Sequence, residues 1–267
     1  MTPISAKKSL EKSARGALFG SRLFHAARNA YQSVFDRDKL ATRKRMLEFY
    51  AGFISRGDLV FDVGANIGVY SDAFQTLGAR VVAIEPNPIC CERLELIAKR
   101  SDLMIENCAV GSEPGVATMN VCSDPTLSTL SSEWYESART SPTHRSEEWL
   151  GTIDVRVATL DSLSQKYGIP AFIKIDVEGF EDHVLAGMSF APKALSFEFH
   201  FALLNIARAS LNNSSLRNGY CFNYIDGIEP EFRLDTWVSA GDLERILTEV
   251  HSRAEYGDVF CRKVSKD

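Results

Sequence analysis

A doubly wound α/β fold is predicted for this chain by three observations. An apolar strand at Val60–Val63 runs into a glycine turn, Gly64-Ala65-Asn66-Ile67-Gly68, and then into helical periodicity. A second apolar run, Arg80 to Ile84, ends in an acid, Glu85, 21 positions after Gly64. Strand-like and helix-like runs then keep alternating toward the C-terminal region, the pattern of a sheet covered by helices on both faces.

Each element has its own signal. Gly64 permits a tight turn and Gly68 a close helix approach, with the N–H groups of the helix N-terminus expected to face a ligand. Tyr70, Ala73, Phe74 and Leu77 mark one helical face, which Gly78 ends. Ile89 to Arg100 reads as a second helix and Leu103 to Val110 as a third strand. Gly115 to Val121 and Ile153 to Val157 alternate at period two, predicting a small antiparallel ribbon. Between them, residues 123–150 are rich in Ser, Thr, Glu and Pro and carry Trp134 and Trp149, which reads as a long loop acting as a lid. Ala171 to Ile175 and Leu195 to Phe199 are buried-type strands, separated by a short helix, Phe180 to Ala186, closed at Gly187. A helix from Ser210 to Asn218 stopped by Gly219 comes next, then a strand from Tyr220 to Ile225. An amphipathic helix from Gly241 to His251 capped by Ser239 precedes a last strand, Gly257 to Arg262. No internal repeat or low-complexity tract interrupts the series.

A chain of 267 residues, 45% hydrophobic, can bury one sizeable core. Residues 1–45 hold 11 Lys or Arg against 3 Asp or Glu (+8), leaving 19 against 32 (−13) for the remainder. Basic character is therefore confined to an N-terminal extension, 1–50, while 51–267 forms the main domain, and no nucleic-acid partner is expected. Within the extension, residues 13–28 read as a short basic amphipathic helix with Arg15, Arg22 and Arg28 on its polar side. Packing on the domain or on a partner subunit, including a second copy, peripheral contact with an anionic membrane, and organelle targeting are the competing uses. No run approaches a membrane span or a secretory core, so the expected compartment is the cytoplasm.

Cys90, Cys91, Cys108, Cys122, Cys221 and Cys261 show no C-x-x-C spacing and read as core filler in a reducing compartment. His25, His144, His183, His200 and His251 form no H-x-x-x-H set, so no protein-built metal site is expected. A carboxylate-held Mg²⁺ bridging a substrate is the open alternative.

The glycine turn and the acid after the second strand suit any adenosine-type ligand, Glu85 accepting the ribose hydroxyls. A dinucleotide fingerprint wants G-x-G-x-x-G, whereas this chain has G-x-N-x-G and an acid, Asp62, at the strand end. Asp62 would repel a pyrophosphate and favour a cationic ligand without phosphate, the charge pattern of S-adenosylmethionine. An NAD-linked reductase is disfavoured on the same grounds.

The successive blocks VFDVGANIGVYS, VVAIEPNP, ENCAVG, ATLDSL, FIKIDVEGFEDHVLAG and LSFEFH, in order across residues 60–200, resemble the FkbM-type family of S-adenosylmethionine-dependent methyltransferases. The likeness leaves out the first 45 or so residues and is faint beyond residue 200. It implies a seven-stranded Rossmann-like sheet with the last strand antiparallel, and an oxygen acceptor for the methyl group.

In such sheets ligands bind outside the carboxyl ends of the strands. Gly64, Ala65 and Asn66 are then expected along the amino-acid part of the cofactor, with Gly68 closing the turn, Asp62 near its ammonium, Glu85 at the ribose, and Asn107 to Ala109 at the adenine edge. The competing structural readings are a helix-cap partner for Asp62, a surface acid for Glu85 and a turn former for Asn107. Asp176 and Glu178 after the fourth strand, and Glu198 and His200 at the end of the fifth, are the candidates for orienting the acceptor or taking its proton. Alternation puts Glu198 and His200 on one side of their strand, as a base and its orienter. Lys174, in an apolar strand, reads as the partner of a nearby acid. The expected reaction is methyl transfer to a hydroxyl of a sugar, glycan, polyketide or similar small metabolite. A nitrogen or lipid-headgroup acceptor, or a non-catalytic cofactor-binding subunit, are the alternatives. Acceptor choice is expected to lie with residues 123–150 and 201–237, with the N-terminal segment as a further contributor.

Overall fold

The computed structural model describes residues 40–264 apart from 145, 146, 218, 251 and 253. The basic segment at 13–28 lies outside the described residues. The chain divides into two units at Met46/Leu47; of the first, residues 40–46 are described and are helical. Everything that follows concerns the second unit, which includes Phe49 and Tyr50 at the end of helix α1 (residues 40–50).

Seven strands form the main sheet: β1 (Leu59–Val63), β2 (Arg80–Ile84), β3 (Met104–Glu106), β7 (Phe172–Ile175), β8 (Ala194–His200), β9 (Tyr220–Asp226) and β10 (Tyr256–Lys263). Their order is β3-β2-β1-β7-β8-β10-β9, with β10 antiparallel to both neighbours. The central strands are buried along their whole length, as a parallel sheet covered on both faces requires. One face carries Phe61, Val63, Ile173, Ile175, Leu195 and Phe197 into the main core. On the other, Phe172 and Phe260 meet Tyr50 and Phe53, and Phe172 also meets Phe74 of helix α2 (Val69–Thr76), in an aromatic layer of mostly edge and tilted contacts.

The expected third strand breaks in two. After β3 the backbone turns at Asn107–Cys108, where Cys108 N donates to Glu106 O, and β4 (Ala109–Val110) leaves for a second sheet. There it pairs parallel with β6 (Trp149–Ala158), which pairs antiparallel with β5 (Gly115–Cys122). The predicted ribbon is thus present, longer and with a third strand. Residues 123–150 are not a plain loop: Pro125–Leu127 form a 3₁₀ turn, helix α4 spans Ser132–Thr140, and β6 begins at Trp149. Ser131 caps α4 by accepting from Trp134 N, and Trp134 and Ala138, four apart, supply its buried face.

Helix α3 (Pro88–Ala98) follows β2, capped by Asn87, and helix α6 (Glu181–Ala186) lies between β7 and β8 with Gly187 after it, close to expectation. Helix α5 (Leu160–Tyr167) carries a Thr159/Ser162 capping box inside a stretch that periodicity had not marked as helical. The helix expected at 210–218 is two: α7 (Leu204–Leu211) and α8 (Ser214–Arg217). Asn213 breaks it, its side chain accepting from Ser215 N and so competing with the helical backbone. Helix α9 (Ala240–Glu249) is capped by Ser239 as expected.

Candidate active site

A cavity of about 1120 Å³ lies at the carboxyl ends of β1, β2, β7 and β8 and at the start of β10. Its walls include Gly64, Ala65, Asn66, Glu85 and Ala109 on one side and Asp176, Glu178, Glu198 and His200 on the other. Nine of the twelve residues singled out from sequence therefore share one space.

Three do not line it. Asp62 is fully buried, and Ser71 Oγ of α2 donates to its carboxylate at 2.6 Å. That is the helix-partner reading; an ammonium contact has no support in this geometry. Burial is the larger effect on Asp62 and pushes its pKa up to about 6, against the Ser71 hydrogen bond and the Lys174 charge. Gly68 caps α2 at φ 87°, and a Cβ there would meet Ile97 and Leu94 side chains at 2.6 and 2.8 Å, so it serves helix packing. Asn107 turns its Nδ2 onto Glu85 O and Cys91 Sγ, holding the end of β2 rather than facing the cavity.

The glycine turn works differently from a phosphate cradle. Gly64 N and Ala65 N both donate to Ile84 O, Gly68 N donates to Ala65 O, and Asn66 N, at φ 49°, donates to Glu85 Oε2 at 2.8 Å. These amides are consumed inside the protein, where a pyrophosphate would need them free. Asn87 N takes the other Glu85 oxygen at 2.7 Å. Glu85 is thus fixed at the cavity wall by two backbone donors, with lone pairs left for hydroxyl groups. Its burial outweighs those bonds and pushes its pKa up to about 7. A loop that offers shape and a carboxylate, with the amides of Gly64, Ala65, Asn66 and Gly68 already bonded, fits S-adenosylmethionine: Gly64 to Asn66 would hold the amino-acid part, Glu85 the ribose and Ala109 the base.

Across the cavity, Lys174 Nζ meets Asp176 at 2.7 Å and Asp258 at 3.9 Å and sits 4.3 Å from the centre of the Tyr70 ring. Burial opposes its charge, and the carboxylates of Asp176 and Asp258 outweigh burial, holding the ammonium well above its ordinary pKa. Lys174 is a structural counter-ion, as its apolar strand suggested.

Glu198 and His200 do lie on the same side of β8, and Glu178 joins them from the turn after β7. His200 Nε2 is 3.2 Å from Glu198 Oε2 and 3.4 Å from Glu178 Oε2. Burial disfavours the imidazolium, but the two glutamates overcome it and push His200 up to about 11. Burial also raises both glutamates, Glu198 well above the ordinary range. Glu198 and His200 are thus adjacent at 3.2 Å, the separation a base and its orienter require.

Two site residues escaped the sequence reading as functional groups. Trp134 stacks on His200 with ring centres 4.0 Å apart, and Asp258 stands beside Glu198 across the β8–β10 pair. An acid just before the apolar Val259-Phe260-Cys261 run was the available signal for Asp258, and Trp134 was marked only as part of the 123–150 segment.

Several buried acids carry a stability cost that depends on pH. Burial raises Asp62 to about 6, Glu85 to about 7 and Glu181 to about 7. Raised folded pKa values mean that the folded state binds more protons than the unfolded one between the ordinary carboxyl range and pH 7. The stabilisation is full below the unfolded values and is lost as pH rises through 6 to 7; His200, also raised, has the same sign. Glu106, whose pKa is lowered, acts only at more acidic pH. The unfolding free energy of the ligand-free protein, from urea titration, is expected to fall between about pH 5 and about pH 8 by on the order of 3 kcal/mol. A flat or rising profile would contradict it.

A doubly wound sheet of this strand order, with Glu85 held at the cavity wall and acids facing it, fits the arrangement of the class of S-adenosylmethionine-dependent methyltransferases. Residues 62–224 match the family described as Methyltransferase FkbM domain, and the chain belongs to that family. A relative, the 31-O-demethyl-FK506 methyltransferase FkbM of Streptomyces tacrolimicus, is 33% identical over 158 residues, covering 49% of this chain and 60% of that protein. Solved structures with similar folds include precorrin-6y C5,15-methyltransferase from Geobacter metallireducens, at 10% identity and TM-score 0.44, covering 82% of this chain and 88% of that one. A TehB-like SAM-dependent methyltransferase from Corynebacterium glutamicum has 11% identity and TM-score 0.42, covering 90% and 99%.

Proposed function

We propose that this protein methylates a hydroxyl oxygen on an uncharged acceptor such as a sugar, glycan or polyketide. The observation that carries this reading is the acceptor side of the cavity. Asp176, Glu178, Glu198 and Asp258 converge there with His200, and the described residues of the whole lining include no Lys or Arg. Carboxylates orient hydroxyl groups by accepting their protons in hydrogen bonds and repel phosphates and carboxylates. The name of the 33%-identical relative, a methyltransferase of 31-O-demethyl-FK506, supports an oxygen acceptor. Six unpaired cysteines, five of them buried, support a cytoplasmic setting.

Held by Gly64 to Asn66, Glu85 and Ala109, S-adenosylmethionine would supply an electrophilic sulfonium methyl for the acceptor oxygen, whose proton must leave. The residues contribute alignment first, which is worth up to ~7–11 kcal/mol in such displacements. Asp176, the most exposed acid of the cluster and held in place by Lys174, is placed to receive the proton. Trp134 and Thr129 close the cavity wall over Glu178, Thr129 Oγ1 donating to Glu178 O at 2.7 Å.

The test is release of S-adenosylhomocysteine from wild type with a panel of neutral polyols, matched amines and lipid headgroups. Turnover with hydroxyl acceptors alone is expected. Turnover confined to amines or headgroups, or tight cofactor binding with no turnover on any acceptor, would overturn the oxygen assignment. In the same assay Glu85→Ala should weaken S-adenosylmethionine binding about 30-fold, the loss of ~2 kcal/mol of charged hydrogen bonding. Unchanged affinity would remove Glu85 from the ribose site.

A further inference from the structure

We propose that Glu178, Glu198 and His200 form a binding site for one divalent metal ion of the Mn²⁺ type, which holds the acceptor hydroxyl as an additional ligand. The ion site stands on its own geometry; the hydroxyl as ligand rests on the methyl-transfer reading above.

One ligand atom from each of Glu178, Glu198 and His200 lies within 4.8 Å of the other two, and His200 Nε2 is 3.2 Å from Glu198 Oε2 and 3.4 Å from Glu178 Oε2. Donor atoms about 2.1 Å from a shared ion and at right angles to each other stand about 3 Å apart, so the two measured separations fit neighbouring ligands of one ion. All three atoms are buried, and none makes a hydrogen bond. Buried polar atoms are nearly always satisfied, and three orphans aimed at a common point call for a partner at that point. A proton on Nε2 is a poor one. It points in one direction, and neither glutamate oxygen is aligned to accept it. A metal ion accepts all three at once.

The site is also held in shape before any ion arrives. Glu178 sits at φ 56°, an unusual conformation for a side-chain-bearing residue, and its carbonyl accepts from Thr129 Oγ1. Glu181 brackets it by accepting from Val177 N and Gly179 N. Glu198 and His200 are fixed by strand β8, and Trp134 sets the plane of the imidazole by stacking on it. Gly179, at φ 84°, lets α4 come this close: a Cβ there would stand 2.8 Å from Trp134 Cβ. Such outer supports are what keep ligands of a metal site in register. Two carboxylate oxygens with one imidazole nitrogen is a hard-to-borderline set suited to Mn²⁺, Fe²⁺ or Zn²⁺. Three protein ligands leave positions open to the cavity, where a coordinated hydroxyl becomes more acidic and its oxygen is fixed in place.

The experiment uses the full chain, stripped with EDTA and titrated with Mn²⁺ alone, read by the electron paramagnetic resonance of free Mn²⁺ and by thermal unfolding. One saturable equivalent, a raised wild-type Tm, and binding weakened about tenfold or more in both Glu198→Gln and Glu178→Gln are expected. If the variants fail to fold, the wild-type stoichiometry and Tm shift decide alone. Absence of saturable binding by folded wild type would overturn the site and leave the imidazolium proton as the counter-charge. Binding that both folded variants retain unchanged would overturn it equally, placing the ion on other acids. Because no methyl transfer is measured, either result is separate from the fate of the oxygen-acceptor assignment.

Discussion

Replacing Gly64 with alanine is expected to abolish measurable S-adenosylmethionine binding and to cost about 3 kcal/mol or more of stability. A Cβ at this position would stand 1.7 Å from the carbonyl oxygen of Asp176 and 2.8 Å from its carbon. Both obstacles are backbone, so no side-chain rotation relieves them. Gly64 also sits at φ 76°, where a side chain is strained whatever the space. The ends of β1 and β7 would have to part, carrying Asp176 and Glu178 away from the cofactor wall. Gly68→Ala is the comparison, since its clashes are with the ends of the Ile97 and Leu94 side chains, which can move. Denaturant unfolding and calorimetric titration of both variants check the expectation. A Gly64→Ala protein that binds S-adenosylmethionine within tenfold of wild type would show that β1 and β7 are not held as described.

Lys174→Met should be nearly as damaging, destabilising the protein by about 3–5 kcal/mol, as when one partner of a buried charge pair is removed. The side chain is 1% exposed and stands between Asp176, Asp258 and the Tyr70 ring. Asp62 faces it across the β1–β7 register. Without the ammonium, Asp62 and Asp258 are buried with no cation beside them and must take up protons. The loss is therefore expected to be larger at about pH 8 than at about pH 5, and the double variant Lys174→Met, Asp258→Asn should recover part of it. Equal unfolding midpoints for wild type and Lys174→Met at both pH values would show that the pair contributes little.

The middle of the sheet was legible because β1, β2 and β7 are largely apolar on both faces and are flanked by Gly or Pro. Val60 to Gly68 and Arg80 to Glu85 could hardly be read otherwise. Boundaries failed where two backbone preferences met. Cys108 carries the apolar run of β3 onward, yet the turn at Asn107 hands Ala109 to a different sheet. Asn213 divides what looks like a single helix because its own side chain caps the second piece. Within the site, the strand-end rule found Glu85, Asp176, Glu178, Glu198 and His200, since position along a parallel strand says which end a residue occupies. It could not say which way a side chain turns, and so Asp62 and Asn107 were placed at the cofactor when their hydrogen bonds run inside the protein. The meeting of Glu178 with His200 depends on a left-handed residue and on Trp134 some 66 positions before His200, neither of which leaves a local pattern.

Strand β10 carries a consequence for the order in which the molecule is built. It lies between β8 and β9 and runs against both, so β9 has no neighbour in the sheet until β10 is in place. It also brings Asp258, the second acid beside Lys174, from late in the chain. During synthesis the polypeptide therefore passes through a stage in which residues 59–200 can pair while β9 waits unpaired and the lysine has only part of its charge balance. An open strand edge of this kind is where newly made chains associate with one another. The strand is a latch: it covers the open side of β8, gives β9 its ladder and brings Asp258 to the pocket, leaving β9 as the outer strand of the sheet.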